Sequence, residues 1–266
     1  IYNIAENETP DILIIEIGGT IGDIENELFV ESVRQMKEEI KEGMIFIHLT
    51  YIPILSGANE QKSKPTQQSV NLLRERGLQP DIVIGRCREL INDTVKNKIS
   101  AFCGVEKDAV ITSLDVDSIY KIPVVFHGEG IVDILNKKLD LNAVPKLEKW
   151  KTLINNLENS GKEIKVAICG KYTKLEDSYI SIVESLRHCE ANLGCRINLE
   201  WVETSDGNVA GKLKNVYGII VPGGFGSRGI EGKIKAVNHA RENKIPFLGL
   251  CYGFQMAVVE FARNAC

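Results

Sequence analysis

The sequence predicts an α/β protein with two doubly wound parallel-sheet domains. Three observations support this fold class: short apolar runs alternate with segments of helical periodicity, the alternation breaks at residues 138–163, and it restarts at Ile164. Regular alternation of strands and helices favours parallel sheets covered by helices. The chain has 266 residues, 44% of them hydrophobic and 26% charged, which is typical of a globular protein with one large or two ordinary domains.

The first domain is predicted to span residues 1–140. The near-continuous apolar run at 11–17 predicts a buried parallel strand. Phe29, Val33 and Met36 recur at helical spacing and predict a helix. The pattern then predicts strands at 44–52, 81–85 and 109–113, and helices at 66–76 and 92–102.

A linker is predicted at 141–163, and the second domain at 164–266. Trp150, Leu153 and Leu157 indicate a connecting helix within the linker, which ends in a turn signal at 159–162. The second domain is predicted to contain strands at 164–169, 196–202, 217–221 and 246–250, and helices at 178–191, 229–243 and 256–263.

Composition narrows the classes of partner and compartment. The net charge of -4 gives no signal for nucleic acid binding. Seven scattered cysteines without a CxxC pair argue against a zinc site or a disulfide framework, and we expect a reducing, cytoplasmic compartment. No apolar run reaches transmembrane length, so we expect no membrane partner. The chain begins with Ile1 and ends 15 residues after Cys251, and we expect that segments are missing at both ends.

Cys251 has the sequence context of a nucleophile elbow. It lies between the apolar run 246–250 and a helical segment, with Gly249 and Gly253 on either side. In such an elbow a tight strand-to-helix turn exposes the side chain, and the helix N-terminus favours a thiolate. A cysteine at the end of a strand is more often a small buried apolar residue. The two glycines and Gln255 favour the nucleophile.

A glycine-rich loop at 222–226 follows the predicted strand 217–221. Loops at the carboxyl ends of parallel strands build functional sites, so this loop and Cys251 are expected to face each other. Backbone N–H groups near Gly224 and Phe225, with that of Tyr252, would form an oxyanion hole. A tight turn without a catalytic role is the alternative. A thiolate nucleophile works with a histidine base, and all four histidines precede Cys251, so the base is expected beyond Cys266.

Two motifs in the first domain suggest phosphate chemistry. Glu16 interrupts the predicted buried strand, and a buried carboxylate must be paired, protonated or bound to a metal. Lys62 and Lys64 precede a predicted helix, whose N-terminus would help them bind phosphates. The alternatives are a carboxylate paired with a nearby lysine or arginine, and a solvated charged loop.

Taken in order, these motifs resemble the CTP synthase family along essentially the whole chain. The second half contains the class I glutamine amidotransferase patterns Pro-Gly-Gly-Phe-Gly, at 222–226, and Gly-x-Cys-x-Gly-x-Gln, at 249–255. The first half contains the synthetase segments 16–25, 48–53, 62–67, 77–82 and 114–123. The resemblance implies a P-loop-like synthetase domain followed by a class I glutamine amidotransferase domain. The family's phosphate-binding loop is not found, because Gly232-Lys233 lacks the motif's first glycine.

The resemblance implies an activity and its ligands. ATP would phosphorylate O4 of UTP, and ammonia released from glutamine would displace the phosphate and give CTP. Mg²⁺ is the implied cofactor, GTP the activator and CTP an inhibitor, in a homotetramer. Two rivals remain open: an amidotransferase that serves another synthetase, and a non-catalytic nucleotide-binding relic. A redox protein with an elbow cysteine is a third.

The resemblance also implies roles for particular residues. Cys251 would form a glutamyl thioester, with Gln255 helping to hold glutamine and Glu16 binding Mg²⁺. The residues expected to bind UTP or CTP are Asp23, Ile24, Glu25, Lys62, Lys64, Gln67 and Lys98. Those expected to bind the adenine of ATP are Arg86, Asp115 and Val116, and those linked to GTP activation are Arg228, Gly229 and Glu231.

Overall fold

Two compact units make up the chain in a computed structural model that describes residues 1–55, 57, 60–171, 173, 176–224 and 226–266. The units are Ile1–Leu147 and Glu148–Cys266. Each contains a parallel sheet with helical connections, which confirms the predicted α/β class. None of the helices in the described ranges has the length and apolar character needed to cross a membrane.

The first unit has a three-stranded parallel sheet of order β1-β4-β5 and a separate antiparallel pair, β2-β3. Its strands are β1 (Ile47–Tyr51), β2 (Ile54–Leu55), β3 (Glu60–Gln61), β4 (Ile82–Cys87) and β5 (Val110–Leu114). Its helices are α1 (Tyr2–Glu8), α2 (Glu27–Ile40), α3 (Lys64–Glu75), α4 (Asp93–Cys103), α5 (Ile122–Gly128) and α6 (Ile131–Leu139). Short 3-10 helices lie at Ile24–Asn26, Lys107–Ala109 and Ile119–Lys121.

The core of the first unit surrounds its central strand, β4. Ile82 and Val83 on β4 are fully buried, as are Val110 and Ile111 on β5. Helix α4 covers this sheet with Ile99 and the other apolar residues of its buried face. A near-continuous apolar run is what a strand enclosed on both faces requires, so the apolar patterns at 81–85 and 109–113 located these two strands from the sequence.

The buried strand predicted at residues 11–17 is wrong. This segment forms no strand, and the side chain of Ile14 is 88% exposed. Glu16 is exposed as well, so its carboxylate does not bear the cost of burial that the sequence suggested. An apolar run becomes a buried strand only when another strand and a covering layer pack against it. In the described part of the chain, β1 pairs with β4 alone.

The second unit has a four-stranded parallel sheet of order β7-β6-β8-β9. The strand order reverses at β6, as in a doubly wound sheet. Its strands are β6 (Lys162–Gly170), β7 (Cys195–Glu203), β8 (Gly218–Val221) and β9 (Phe247–Gly249). Its helices are α7 (Glu148–Asn159), α8 (Ile180–Leu193), α9 (Val209–Lys212), α10 (Ile230–Glu242) and α11 (Tyr252–Asn264), with a 3-10 helix at Glu176–Tyr179.

Helix α7, which the sequence pattern assigned to the linker, belongs to the second unit. The side-chain amide of Asn156 donates a hydrogen bond to the carbonyl oxygen of Ala191 on α8, at 2.7 Å. The division between the units lies between Leu147 and Glu148. The functional domain limits at residues 140 and 164 stay a prediction.

A buried carboxylate joins α10 to α11. Glu260 is 1% exposed and accepts hydrogen bonds from Arg241 Nη2 at 3.0 Å, Asn238 Nδ2 at 2.9 Å and Asn264 Nδ2 at 3.1 Å. The hydrogen bond from Arg241 is the main reason that the pKa of Glu260 is lowered from its ordinary 4.5, although burial acts in the opposite direction. These contacts hold together the two helices that follow the glycine-rich loop and Cys251.

We expect Glu260→Gln to lower the midpoint of urea unfolding at pH 7. The difference between the midpoints of wild type and variant should become smaller as the pH falls below 4.5. A carboxylate whose folded-state pKa is lowered stabilises the fold above its unfolded pKa, and this stabilisation is lost as the pH falls through the folded pKa. The measurement is urea unfolding of wild type and variant between pH 7 and pH 3. Glu242→Gln, at an exposed position of α10, is the matched control. A difference from wild type that stays constant with pH would contradict the prediction.

Candidate active site

Cys251 lies in the turn between β9 and α11. Its backbone has φ 50° and ψ −108°, a conformation that residues with a Cβ rarely adopt. Such a conformation costs about 1–3 kcal/mol and persists only when the surrounding structure enforces it. The Cys251 side chain is exposed, and the residue is the N-cap of the 13-residue helix α11. This strand–turn–helix geometry is that of a nucleophile elbow.

The two glycines beside Cys251 are required by close backbone contacts. A Cβ added to Gly253 would lie 1.8 Å from the carbonyl oxygen of Val221, and one added to Gly249 would lie 2.7 Å from the backbone nitrogen of Phe254. The backbone nitrogen of Leu250 donates to that same Val221 oxygen at 3.0 Å. The turn is therefore packed directly against the end of β8. A side chain at position 253 would push α11 away from β8, and one at position 249 would push the end of β9 away from the first turn of α11.

The glycine-rich loop meets Cys251 at the same edge of the sheet. Strands β8 and β9 are parallel, with Val221 opposite Gly249, so the loop at 222–226 and the Cys251 turn both begin at their carboxyl ends. A Cβ added to Gly223 would lie 3.7 Å from Cβ of Cys251. Gly224 has φ 117°, in the region that favours glycine. The loop and the cysteine are therefore neighbours, as their positions after adjacent strands predicted.

The other predicted residues of this group occupy different environments. Tyr252 is half-buried at the start of α11, and Gln255 is exposed in the first turn of that helix. Phe225, also predicted to contribute to the oxyanion hole, lies outside the described residues.

A buried lysine that the sequence analysis did not assign to this site lies beside the glycine-rich loop. Lys233 of α10 is 1% exposed, and its Nζ donates hydrogen bonds to the carbonyl oxygens of Pro222 at 2.9 Å and Gly223 at 3.0 Å. The same Nζ lies 5.2 Å from the centre of the Tyr252 ring. Burial lowers the pKa of Lys233 most and the charge of Lys171 lowers it further, whereas Cys251 raises it. Its position on the apolar face of α10 was the available sequence signal.

The residues predicted to respond to GTP lie where the glycine-rich loop enters α10. Arg228 Nη2 donates to the carbonyl oxygen of Lys171 at 3.2 Å. Gly229 has φ 80° and is the N-cap of α10, and a Cβ there would lie 2.5 Å from Oγ1 of Thr204. Glu231 is exposed and pairs with Arg263 at 3.1 Å. This arrangement leaves both charged side chains at the surface of the second unit.

In the first unit, two of the predicted nucleotide-binding lysines act on the same carboxylate. Lys62 Nζ is 2.7 Å from Glu60, and that hydrogen bond is the main reason for the lowered pKa of Glu60, to which the charge of Lys98 also contributes. Glu60 and Lys98 line a cavity of about 480 Å³ together with Gln61 and the first turn of α4. The lining also includes Asp93, so it carries two acidic side chains beside the ammonium of Lys98.

Lys64 and Gln67 lie in the first turn of the adjoining helix α3. Lys64 is exposed at the start of the helix, whereas Gln67 is buried and donates to Oγ of Ser63 at 3.0 Å. Helix α3 begins at Lys64, two residues before the start predicted from the sequence at Thr66. Pro65 is tolerated in its first turn.

The predicted adenine-binding residues lie at the carboxyl ends of β4 and β5. Arg86 Nε is 2.7 Å from Oδ1 of Asp115, and half-buried Val116 follows. Functional sites of parallel sheets form at these strand ends. The structure therefore brings the members of this group together.

The segment around Asp23, which is also predicted to bind UTP or CTP, is largely exposed. Asp23 Oδ2 accepts a hydrogen bond from the backbone nitrogen of Thr20 at 2.8 Å. Ile24 is 88% exposed and Glu25 is exposed too, in the short 3-10 helix. These side chains are accessible to a ligand.

Glu16 is the residue that the resemblance assigns to Mg²⁺. The described residues contain no group of three or more histidine, cysteine or acidic side chains able to hold a metal ion. Mg²⁺ commonly binds one or two carboxylates together with substrate phosphates and waters, so an exposed carboxylate fits this role when a nucleotide supplies further oxygen ligands.

An elbow cysteine beside a glycine-rich loop, on a parallel sheet, defines the second unit as an amidotransferase-like α/β unit. Sequence profiles agree: residues 174–266 match the family described as glutamine amidotransferase class-I, and residues 1–141 match the family described as CTP synthase N-terminus. The chain belongs to the CTP synthase family, which confirms the resemblance found in the sequence.

Individual relatives give the same result. The chain is 50% identical to the CTP synthase of Borreliella burgdorferi over 271 aligned residues, covering 100% of this chain and 51% of that protein. It is 46% identical to the CTP synthase of Archaeoglobus fulgidus over 266 residues, covering 99% of this chain and 50% of that protein. The chain therefore spans about half the length of the curated relatives it matches.

A solved structure is also similar in sequence. It is the glutaminase domain of Trypanosoma brucei CTPS with bound acivicin, with 37% identity over 38% of this chain and 41% of that chain. The TM-score is 0.36, which is too low to add structural support to the sequence matches.

Proposed function

We propose that the full-length protein is a cytoplasmic, glutamine-hydrolysing CTP synthase that converts UTP to CTP at the expense of ATP. The observation that carries this proposal is the strained, exposed Cys251 next to the glycine-rich loop, in a chain of the CTP synthase family. The profile match over residues 1–141 favours this activity over an amidotransferase that serves a different synthetase.

Glutamine hydrolysis would begin with attack of the Cys251 thiolate on the carboxamide carbon. The negative charge that develops on the carbonyl oxygen would be stabilised by backbone N–H groups of the glycine-rich loop, at Gly224 and Phe225, and of Tyr252. Collapse of this intermediate breaks the C–N bond, protonates the leaving nitrogen and leaves a glutamyl thioester. Water then releases glutamate. Gln255, exposed in the first turn of α11, is placed to help hold glutamine.

The thiol and the leaving nitrogen need a proton carrier. We propose a histidine that follows Cys266 in the full-length protein. A positioned histidine is the usual base for a cysteine nucleophile, because its pKa lies near neutral pH.

In the first unit, transfer of the ATP γ-phosphoryl group to O4 of UTP would turn that oxygen into a good leaving group. Attack of ammonia on C4 of the ring then displaces phosphate and gives CTP. The adenine would lie near Arg86, Asp115 and Val116. UTP, or inhibitory CTP, would contact the lysines at and beside the cavity of Glu60 and Lys98, and the exposed segment at Asp23. These residues are Asp23, Ile24, Glu25, Lys62, Lys64, Gln67 and Lys98.

Three further features belong to the proposal. Mg²⁺ bound at Glu16 would neutralise charge on the nucleotide phosphates. GTP would activate glutamine hydrolysis through the loop residues Arg228, Gly229 and Glu231. The active assembly would be a homotetramer.

Product analysis of the full-length protein tests the proposal. With UTP, ATP, Mg²⁺ and glutamine, we expect CTP, ADP, phosphate and glutamate in equal amounts, and no CTP when UTP is omitted. Absence of CTP with both glutamine and ammonia as nitrogen source would contradict the proposal. CTP formation with ammonia but not with glutamine as the nitrogen source would support the synthetase activity and contradict the proposed role of the second unit.

A further inference from the structure

A buried ammonium group beneath the glycine-rich loop has no role in the hydrolysis steps described above. Among the described residues, the hydrogen bonds of Lys233 go to neutral carbonyl oxygens, those of Pro222 and Gly223. Removing a charge from water is costly, and an apolar side chain of similar size often fills such a space without loss of stability. The burial of this charge against the loop therefore suggests a contribution to the site rather than to the fold.

The hydrogen bond to Gly223 also determines where the next N–H group points. The peptide bonds of the described residues are trans, so the carbonyl of Gly223 and the N–H of Gly224 share one plane and point in opposite directions. Because Lys233 binds the carbonyl, it directs the Gly224 N–H away from itself. Gly224, at φ 117°, has no side chain that would restrict this peptide, so the restraint has to come from elsewhere.

The same ammonium contacts the second segment that carries a proposed oxyanion donor. Its Nζ lies 5.2 Å from the ring centre of Tyr252, at a distance typical of a cation–π contact. Tyr252 follows Cys251 directly, and its backbone N–H is the other proposed donor. The Lys233 side chain therefore contacts both segments that carry proposed oxyanion donors. These segments are themselves close together, because a Cβ added to Gly223 would be 3.7 Å from Cβ of Cys251.

We propose that Lys233 is a positioning residue for glutamine hydrolysis. It holds the Pro222–Gly224 peptides and the Tyr252 side of the elbow in one arrangement, so that their N–H groups converge on the oxygen of the attacked carboxamide. Lys233 does not itself contact glutamine in this proposal. The inference rests on the proposed glutaminase function of the second unit.

The test compares Lys233→Met with Lys235→Met in the full-length protein. Lys235 is exposed on the same helix and serves as the matched control. Loss of an entire oxyanion donor costs about 10²–10³-fold in kcat, so we expect misorientation in Lys233→Met to lower kcat for glutamine hydrolysis about 10- to 100-fold. KM for glutamine should change less than about twofold, since the ground-state amide gains little from these donors. Lys235→Met should hydrolyse glutamine with the kcat of the wild type. The ammonia-dependent synthesis of CTP should be unchanged in both variants.

Two further measurements separate positioning from a general structural effect. Lys233→Gln retains a donor for one loop carbonyl without a charge, and we expect its kcat to lie between those of wild type and Lys233→Met. The second measurement is the rate at which iodoacetamide alkylates Cys251, followed by peptide mass spectrometry. This reaction needs no oxyanion hole, so its rate in Lys233→Met should differ from the wild-type rate by less than about threefold.

The outcomes are distinguishable. A wild-type protein that hydrolyses glutamine, with a Lys233→Met variant of equal kcat, overturns this inference and leaves the proposed function intact. A parallel loss of glutamine hydrolysis, ammonia-dependent synthesis and melting temperature in Lys233→Met also overturns it, because that pattern indicates damage to the fold. A wild-type protein without any glutaminase activity overturns the proposed function, and this inference with it.

Discussion

Replacement of Cys251 by alanine is expected to abolish CTP formation from glutamine and to leave CTP formation from ammonia unchanged. Alanine offers no nucleophile for the carboxamide, and removal of a nucleophile that acts with its partners as a unit costs at least about 10⁴-fold in rate. Added ammonia bypasses this step, because it enters at the synthetase reaction. The measurement is CTP formation by the full-length protein with each nitrogen source.

Another exposed cysteine of the same unit provides the control. Cys189 lies on α8 and is exposed like Cys251, but it is not in a strand-to-helix turn. We expect Cys189→Ala to retain both activities. A diazoketone analogue of glutamine should alkylate Cys251 in wild type and in Cys189→Ala, and should fail to label Cys251→Ala. Loss of ammonia-dependent synthesis in a folded Cys251→Ala variant would contradict the assigned role.

Gly253→Ala is expected to destabilise the second unit strongly, by about 3 kcal/mol or more. The added Cβ would lie 1.8 Å from the carbonyl oxygen of Val221, far inside van der Waals contact. Relief of this clash requires α11 to move away from β8. That movement would strain the 3.0 Å hydrogen bond from the Leu250 nitrogen to the same oxygen. The elbow and the glycine-rich loop would separate, so glutamine hydrolysis should be lost along with stability.

Urea unfolding of the full-length protein, followed by circular dichroism, measures this effect. Gly207→Ala is the matched control, because no atom lies within 4 Å of a Cβ added at Gly207 and its φ is not positive. That substitution should change the free energy of unfolding by less than about 0.5 kcal/mol. A Gly253→Ala variant that unfolds at the wild-type urea concentration would show that the elbow tolerates a side chain at this position.

The part of the candidate site around Cys251 was accessible from the sequence because its signals are local. The predicted strand at 217–221 and helix at 229–243 correspond closely to β8 (Gly218–Val221) and α10 (Ile230–Glu242). Apolar runs that end in glycine or proline mark such boundaries well. Gly249 and Gly253, read as positions that permit close chain packing, both meet backbone atoms at distances that exclude a Cβ.

Other elements depend on contacts that no local pattern contains. The apolar run at 11–17 has the composition of a buried strand, yet Ile14 and Glu16 are exposed because the run pairs with no strand among the described residues. The short pair β2-β3 and helices α5 and α6 were not predicted, since two-residue strands and seven- to nine-residue helices carry weak periodicity. Lys233 was considered only as part of an incomplete phosphate-loop motif.

By itself, the sequence determined the family, the α/β class and the strand–turn–helix context of Cys251, because these depend on residue types at short, regular spacing. Only the tertiary structure decided that Cys251 adopts a positive φ, that its turn packs on the carbonyl of Val221, and that the ammonium of Lys233 lies under the glycine-rich loop. The contacts of Lys233 with Gly223 and of Gly253 with Val221 join residues 10 and 32 positions apart, through the packing of α10 on the sheet and the parallel pairing of β8 with β9. Backbone approach and burial are set by that pairing, and a pattern within one segment does not record them.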